Sequence, residues 1–549
     1  MKGYEYIANL IKDYGITHYF YQEGVMRYTY KELDKMGIKG ILSHSENAAG
    51  YMADGYARAS QRAGIVFAQN IGAGNLAGGI YDAFMANSPV IAFTGKKEAS
   101  KQYKNSYQET DHRMLYEGIT KFNPEILDPA QAPFIVRQLF KEAVAGKPRP
   151  VHVDIPDRMG TDTEIAEMKE PYTYDKSYCG YPAHRSAAGK AAVEKAADRI
   201  DSAERPVIVC GRGANISGAA DAVYKLAAKA DIPVLITPDG KSMFDEDDPL
   251  WCGIVGEYGM SCGNRIAWES DLVIFIGTQN SDQTTCNWTC PPMNRKIVQI
   301  DIDERELGKN YPDTVGLAGD ARTVVEQLIH AVAKASHAEW QNHCRELFSK
   351  TMGEYDAYKT SEMSPINPGR MCIEISKALP DNAVLVGDTG YSAVWSADFI
   401  KMKNTQTYFR AAGSLGWAYP ASLGIKCALP DRPVFCFAGD GAMLYHLCEI
   451  ETACRYGINT ITLINNNNIL AQSAYGIKRI FDDDLTKAEP HYKFTNPDFA
   501  KLAEDFGAVG IRIEDPSEIG EAIKKAMTIN KPVILEVLTD PEVFVPDCI

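Results

Sequence analysis

Asp440 stands between Gly439 and Gly441 at the end of the apolar run "PVFCFAG". Asn467 lies 27 residues later, inside four consecutive asparagines that end a second apolar run, "NTITLINNNN". A carboxylate, an amide oxygen and a nearby backbone carbonyl are hard oxygen ligands. Such a set suits Mg²⁺ and leaves positions for phosphate oxygens and water. The two glycines let the backbone come close to a ligand. The spacing is the length of one helical crossover, which returns the chain to a neighbouring parallel strand and brings both strand ends to one edge of a sheet. A helix beginning after Gly441 would offer its free N–H groups to a phosphate. Alone, Asp-Gly is a common turn and an Asn run a common loop. Their spacing at two strand ends is what points to a metal-bound phosphate ligand.

Those strand ends belong to the third of three successive α/β blocks. In the first, short runs that read as buried strands ("GIVFAQN", "SPVIAFTG", "PVHVDIP") alternate with helical patterns, the signature of a parallel sheet covered on both faces. It closes near Pro156, and a polar, Tyr-rich linker runs from about Glu164 to His184. The second block carries "PVIVCGRG", "IPVLITP", "DLVIFIG" and "KIVQIDID" and fades after Ala335 into a charged helical connector, "AEWQNHCRELFSK". The third begins near Pro365 and adds "AVLVGD" and "KPVILEVLTD". The expected fold class is α/β, with three consecutive doubly wound parallel-sheet domains over residues 1–165, 185–335 and 365–549. In such sheets ligands sit beyond the carboxyl ends of strands. The loops after Phe67-Ala68, Gly387-Asp388, Ala438 and Ile464 are therefore where chemistry is sought.

Composition narrows the partners. The 549 residues exceed the ~250–300 at which a single core stops growing. The net charge of -15 argues against nucleic acid, which needs basic patches. The 13 cysteines are scattered through apolar segments; Cys286 and Cys290 in "TTCNWTC" have no second pair at a zinc-binding spacing. Reduced thiols and a cytoplasmic location are expected. The N-terminal "MKGYEYIANLIKDYG" lacks the uninterrupted apolar centre of a signal peptide, and no apolar run reaches ~18 residues, so no membrane partner is expected.

Three further segments occur in order along the chain: "HSENAAGYMADGYARAS", "GDTGYSAVW" and "RAAGSLGWAYPASLG". Together with the Gly-Asp-Gly and Asn-Asn pair they resemble the thiamine diphosphate-dependent enzymes. "IDIDERELGKN", "YQE" and "PDFAKLAEDFGA" are similar to the acetolactate synthase-like, 2-oxoacid-processing group. The resemblance implies thiamine diphosphate with Mg²⁺. The metal would be held by the side chains of Asp440 and Asn467 and the backbone oxygen of Ile469, with Asn466 as the alternative register. Gly390, Tyr391, Ser392, Gly439, Gly441 and Ala442 would line the diphosphate. Leu415 would bend the cofactor, and Gly413 would offer its carbonyl to the aminopyrimidine. Glu46, which alone reads as a glutamate favoured by a helix dipole, would be the proton partner of the pyrimidine. The resemblance sets Glu46 and Asp440 on different subunits. It thus implies an obligate homodimer, usually doubled to a homotetramer.

The reaction implied is a decarboxylating carboligation that joins a 2-oxoacid such as pyruvate to a carbonyl acceptor. Gln108 in "YQE" resembles the glutamine near the reacting centre of acetolactate synthases. Simple decarboxylases of the superfamily place histidines there. The loop "FAQNIGAGN" has Gln69 and Asn70 instead, and the nearby histidines are His112, the catalytic candidate, and His446. A non-oxidative decarboxylase releasing an aldehyde, and a non-catalytic cofactor-binding paralogue, are the alternatives. "NNNNILAQSAYG" lacks the Met and Trp of acetolactate synthases, and "YFYQEGVMRYTY" replaces a G-x-P-G-like turn, which leaves the donor and acceptor open. In the middle block "CGRGANISG" has G-x-G without the full dinucleotide spacing. Acetolactate synthases hold FAD in this domain. Here "GTQNSDQTTCNW" stands where they carry an arginine-bearing turn; FAD stays open and this turn argues against it.

Overall fold

The runs that read as strands buried on both faces leave no position exposed: Gly64–Ala68, Pro206–Cys210 and Leu272–Ile276 are covered throughout. In the computed structural model, which describes residues 1–548, they belong to three all-parallel sheets. The first orders its strands β2-β1-β3-β4-β5, with β1 His18–Tyr21, β2 Lys39–Leu42, β3 Gly64–Ala68, β4 Val90–Lys96 and β5 Val151–Pro156. The second is β11-β10-β9-β6-β7-β8, with β6 Pro206–Cys210, β7 Val234–Ile236, β8 Trp251–Ile254, β9 Leu272–Ile276, β10 Lys296–Asp301 and β11 Thr314–Ala318. The third is β13-β12-β14-β15-β17-β16, with β12 Val384–Gly387, β13 Thr407–Arg410, β14 Val434–Gly439, β15 Ile461–Asn466, β16 Val509–Ile513 and β17 Val533–Leu538. β1, β8, β11, β13 and β16 are not among the runs read from the sequence. They are short, and β11, β13 and β16 bury only alternate or terminal positions.

In the third sheet the chain leaves β12 for β13 on one side and returns to β14 on the other. Strand order reverses between β12 and β14, and a crevice opens at their carboxyl ends. β14 and β15 pair in register with Gly439 opposite Asn465, so the two strand ends are neighbours.

The first and third domains dock through small residues. The helix Glu46–Ser60 packs on the helix Ala418–Ala428 so closely that a Cβ on Gly424 would lie 1.9 Å from the Met52 carbonyl, and one on Gly55 2.2 Å from the Ala421 carbonyl. A buried ion cluster locks the end of this contact. Arg58 pairs with Asp54 and Asp82, stacks over the Trp417 ring at 4.3 Å and donates to the Arg410 carbonyl at 2.8 Å.

Two connecting segments are more ordered than their polar composition suggests. In the Tyr-rich linker Tyr181 is buried and donates to the Ala57 carbonyl at 2.9 Å, while Tyr172, Tyr174 and Tyr178 pack on the first core. The charged connector is the helix Ala338–Glu354, anchored in the central domain by buried Trp340, whose Nε1 donates to the Pro206 carbonyl at 2.9 Å. Among the described residues no helix is long and apolar enough to cross a membrane.

Candidate functional site

The crevice beyond β12, β14 and β15 holds a cavity of about 390 Å³. Gly390, Tyr391, Ser392, Gly413, Leu415, Gly439, Asp440, Gly441, Ala442, Asn467 and Ile469 all line it.

Asp440 is buried and oriented by four N–H donors. Its Oδ1 accepts from Gly441 N at 2.7 Å. Its Oδ2 accepts from Asn467 N at 3.0 Å, Asn468 N at 2.6 Å and Asn496 Nδ2 at 2.7 Å. Burial pushes its pKa up to about 6 despite these donors. The helix expected after Gly441 starts at the carboxylate itself, where β14 runs straight into it, and is short, Asp440–Tyr445.

The four asparagines divide their work. Asn465 sits opposite Gly439 in the ladder. The Asn466 amide turns into the sheet, donating to Glu536 Oε1 and accepting from Asn496 Nδ2, each at 2.7 Å. Asn467 borders the cavity, and its Oδ1 accepts from Ile469 N at a long 3.3 Å. Ile469 forms an antiparallel bridge with Lys493 in which the bonds are made by its neighbours: Leu470 donates to the Tyr492 carbonyl and Asn468 accepts from Phe494 N. Among the described residues no backbone N–H is donated to the Ile469 carbonyl. One carboxylate, one amide oxygen and one free carbonyl thus belong to residues that line one cavity, a donor set that fits Mg²⁺.

Beside it, Gly390 caps the helix Tyr391–Phe399 with φ +71° and ψ −154°, a conformation only glycine adopts readily. The first N–H groups of that helix have no intrahelical partner. Leu415 stands half-buried in the wall. Gly416 after it has φ +87°, and a Cβ there would meet the Tyr445 Cβ at 2.6 Å.

Two carboxylates the sequence reading passed over hold this wall. Asp388 is buried and accepts from Thr389 N, Gly416 N and Ala418 N at 2.8–3.0 Å; burial pushes its pKa up to about 6. Asp82, from the first domain, accepts from Ala412 N at 3.0 Å, Gly413 N at 3.1 Å and Ser414 N at 2.9 Å. The central domain contributes Tyr258 and Gln283 to the lining. Asp388 lies in a quoted motif, "GDTG"; Asp82 in "IYDAFM" carries no local signal.

The first-domain candidates lie elsewhere. Glu46 opens its helix behind the Ser45 cap, whose side chain accepts from Ala48 N. It is buried and receives a bond from Asn75 Nδ2 at 3.2 Å. A Cβ on Gly72 would stand 2.5 Å from its Oε1. The helix Gly72–Met85 runs from Glu46 at one end to Asp82, and hence the 412–414 loop, near the other. Gly72 and Asp82 are ten residues apart, about 15 Å at ~1.5 Å per residue. Glu46 does not line the cavity of its own chain. Gln108 is half-buried with φ +60°, and its carbonyl faces Asn70 Nδ2 at 3.5 Å. His112 is buried with both ring nitrogens engaged, Nδ1 with Asp154 at 3.0 Å and Nε2 with Thr110. His446 packs edge-on against Tyr51 at 5.6 Å, and burial lowers its pKa to about 4.

Family models for thiamine pyrophosphate enzymes match all three blocks. The N-terminal TPP binding domain matches residues 1–115, the central domain 193–328 and the C-terminal TPP binding domain 388–537. A probable acetolactate synthase large subunit of Methanocaldococcus jannaschii is 34% identical over the whole chain and 93% of its own length. One from Methanococcus aeolicus is 32% identical over 95% of this chain and 89% of its own. The acetolactate synthase large subunit of Haemophilus influenzae is 28% identical over 98% and 95%. With a model matched to part of each sheet and the likeness running from end to end, the chain belongs to the thiamine pyrophosphate enzymes, in their acetolactate synthase-like group.

Proposed function

We propose that this chain is a thiamine diphosphate- and Mg²⁺-dependent carboligase that decarboxylates a 2-oxoacid and joins what remains to a second carbonyl compound. The observation that carries the reading is one cavity lined by both halves of the expected site. Asp440, Asn467 and Ile469 border it with hard oxygens, and Leu415 and the Asp82-held Gly413 border it too. Asp440, Asn467 and Ile469 hold the metal, and Gly390, Tyr391, Ser392, Gly441 and Ala442 receive the diphosphate. When bound, thiamine diphosphate supplies a carbanion-equivalent carbon, which no protein side chain offers.

The side chains orient and move protons around it. Gly413 would offer its carbonyl to the aminopyrimidine and Leu415 would pack against the cofactor. Glu46 would be the proton partner of the pyrimidine nitrogen. The separation of about 15 Å along the helix Gly72–Met85 favours a Glu46 supplied by a second copy. We therefore take a homodimer as the working unit and a homotetramer as its doubled form.

Two observations favour coupling over aldehyde release. The relatives that span the chain are named acetolactate synthases. His112, the catalytic candidate, has both ring nitrogens taken by Asp154 and Thr110. Where the central domain meets the other two, a second cleft of about 390 Å³ is bordered by Arg212 of the central domain and Arg410 of the third, each with one buried guanidinium nitrogen lacking a protein partner. That suits an anionic ligand, and the visible spectrum of purified protein decides whether it is FAD.

The test is an NMR time course with thiamine diphosphate and Mg²⁺, given pyruvate alone and then pyruvate with aldehydes and 2-oxoacids. A coupled product is expected. Acetaldehyde alone would reassign the chain as a decarboxylase. Failure to bind thiamine diphosphate would sink the reading.

A further inference from the structure

The two oxygens of Asp440 are not equally supplied with donors. Oδ2 accepts from Asn467 N, Asn468 N and Asn496 Nδ2, whereas Oδ1 accepts from Gly441 N. A carboxylate has about four lone-pair sites over its two oxygens. Oδ2 is therefore filled by the protein, and Oδ1 keeps a site for a further partner.

The one side chain among these donors is Asn496, 56 residues from Asp440 along the chain. What it faces settles the direction of its amide. Nδ2 lies 2.7 Å from Asp440 Oδ2 and 2.7 Å from Asn466 Oδ1. The Asn466 amide is fixed in turn, because its Nδ2 donates to Glu536 Oε1 while Ala500 N donates to Oε2. Turning Asn496 over would press an oxygen against two oxygens. Its own Oδ1 is buried without a protein partner, so the amide is committed to donating.

The same segment also aims a second ligand candidate. Leu470 N shares a peptide group with the Ile469 carbonyl, and it donates to the Tyr492 carbonyl at 2.8 Å. In a trans peptide the C=O points opposite to the N–H, so this bond turns the Ile469 carbonyl away from Tyr492. On the other side of Ile469, Asn468 accepts from Phe494 N at 3.1 Å and, through Oδ1, from Asn496 N at 3.2 Å.

We propose that Asn496 is a positioning residue for the metal: it holds Oδ2 so that Asp440 binds through Oδ1 alone, and thereby favours Mg²⁺ over Ca²⁺. Mg²⁺ demands near-octahedral geometry, whereas Ca²⁺ accepts about six to eight oxygens and takes carboxylates through one oxygen or both. A carboxylate with one oxygen already taken offers a single point of attachment, as the smaller ion requires. Hydrogen-bond partners behind a ligating carboxylate set its orientation in this way. The inference rests on the metal site of the proposed function.

The experiment titrates the full-length protein with Mg²⁺ and, separately, with Ca²⁺ in the presence of thiamine diphosphate, and reads binding by calorimetry without turnover. The parent is expected to prefer Mg²⁺. Asn496→Ala is expected to weaken Mg²⁺ binding about tenfold or more, the usual effect of losing such a partner. Ca²⁺ binding should weaken less, so that the ratio of the two dissociation constants moves toward Ca²⁺. Equal losses for the two metals, no loss for either, or a parent indifferent between them would overturn the proposal. A crystal structure of the parent with thiamine diphosphate and Mg²⁺ decides the matter if the variant does not fold. Oδ1 is expected at about 2.1 Å from the metal, with Asn496 Nδ2 still on Oδ2. A metal held through Oδ2, or through both oxygens, would overturn the role of Asn496 and leave the proposed function standing. A parent that takes up neither metal at Asp440 would overturn the metal site itself, and the role of Asn496 with it.

Discussion

The Asp82 carboxylate accepts the Gly413 amide at 3.1 Å, a bond from the first domain to the cavity wall of the third. Its other oxygen accepts from Ala412 N and from Arg58, which is itself buried against Asp54 and Trp417. One carboxylate therefore joins a buried ion cluster to the loop proposed to grip the aminopyrimidine.

Removing it should weaken both. Breaking one partner of a buried pair costs about 3–5 kcal/mol, because the charge left behind stays desolvated. Asp82→Ala is expected to lower the unfolding midpoint and to raise the dissociation constant for thiamine diphosphate at least tenfold. Asp82→Asn, which keeps an acceptor, should lose less of both. Calorimetry with cofactor titration measures the two together. Normal cofactor affinity in a destabilised Asp82→Ala would limit the residue to packing.

Asn466 and Asn467 adjoin in sequence and differ in task. The Asn466 amide is spent on Glu536, whose other oxygen accepts from Ala500 N, deep in the sheet. Asn467 faces the cavity. Asn467→Ala should leave stability within about 0.5 kcal/mol, as for a site away from buried networks, while raising the Mg²⁺ needed for half-maximal activity at least tenfold. Asn466→Ala should cost about 1–3 kcal/mol by leaving a buried carboxylate short of a partner. Metal titrations and denaturation of the two variants separate the roles; the reverse pattern would move the ligand to Asn466.

Glu46 and Gly72 make a third pair. A methyl on Gly72 would intrude to 2.5 Å from Glu46 Oε1, so Gly72→Ala must displace the carboxylate or the helix start. Turnover is expected to fall about tenfold or more with cofactor affinity nearly kept. Glu46→Gln should abolish turnover while the protein still binds thiamine diphosphate. Steady-state kinetics beside cofactor binding checks both, and an active Glu46→Gln would remove Glu46 from the chemistry.

What could be seen in the sequence depended on how local the signal was. Asp440, Asn467 and the Gly390 turn sit at ends of fully buried strands, where apolar runs stop at glycine or amide, and they line one cavity. The edge strand β16 lacks that contrast, because only its last residue is buried. Asp82 and Asn496 were illegible for another reason. Each acts on residues far along the chain, 330 positions away for Asp82 and 56 for Asn496, and nothing local distinguishes such a polar side chain from a solvated one. Tyr258 and Gln283 reach the cavity from a domain whose own sequence gives no hint of that contact.

Glu164 provides a test of burial away from the cavity. It is fully buried in the short helix Thr161–Ile165, where Oε1 accepts from Thr29 N at 2.6 Å and Oε2 has no partner. Burial raises its pKa from 4.5 to about 7, with the Thr29 N–H pulling the other way. Between those values the folded chain keeps a proton that the unfolded chain gives up. Stability should therefore fall as pH rises through this window and level off above it. A shift of this size corresponds to about 3 kcal/mol at ~1.4 kcal/mol per unit. Glu164→Gln keeps the acceptor for Thr29 and cannot ionise. It should match the parent near pH 5 and exceed it by about 1–3 kcal/mol at pH 8, read as a higher thermal midpoint. A difference that did not change with pH would trace the effect to packing rather than to the buried charge.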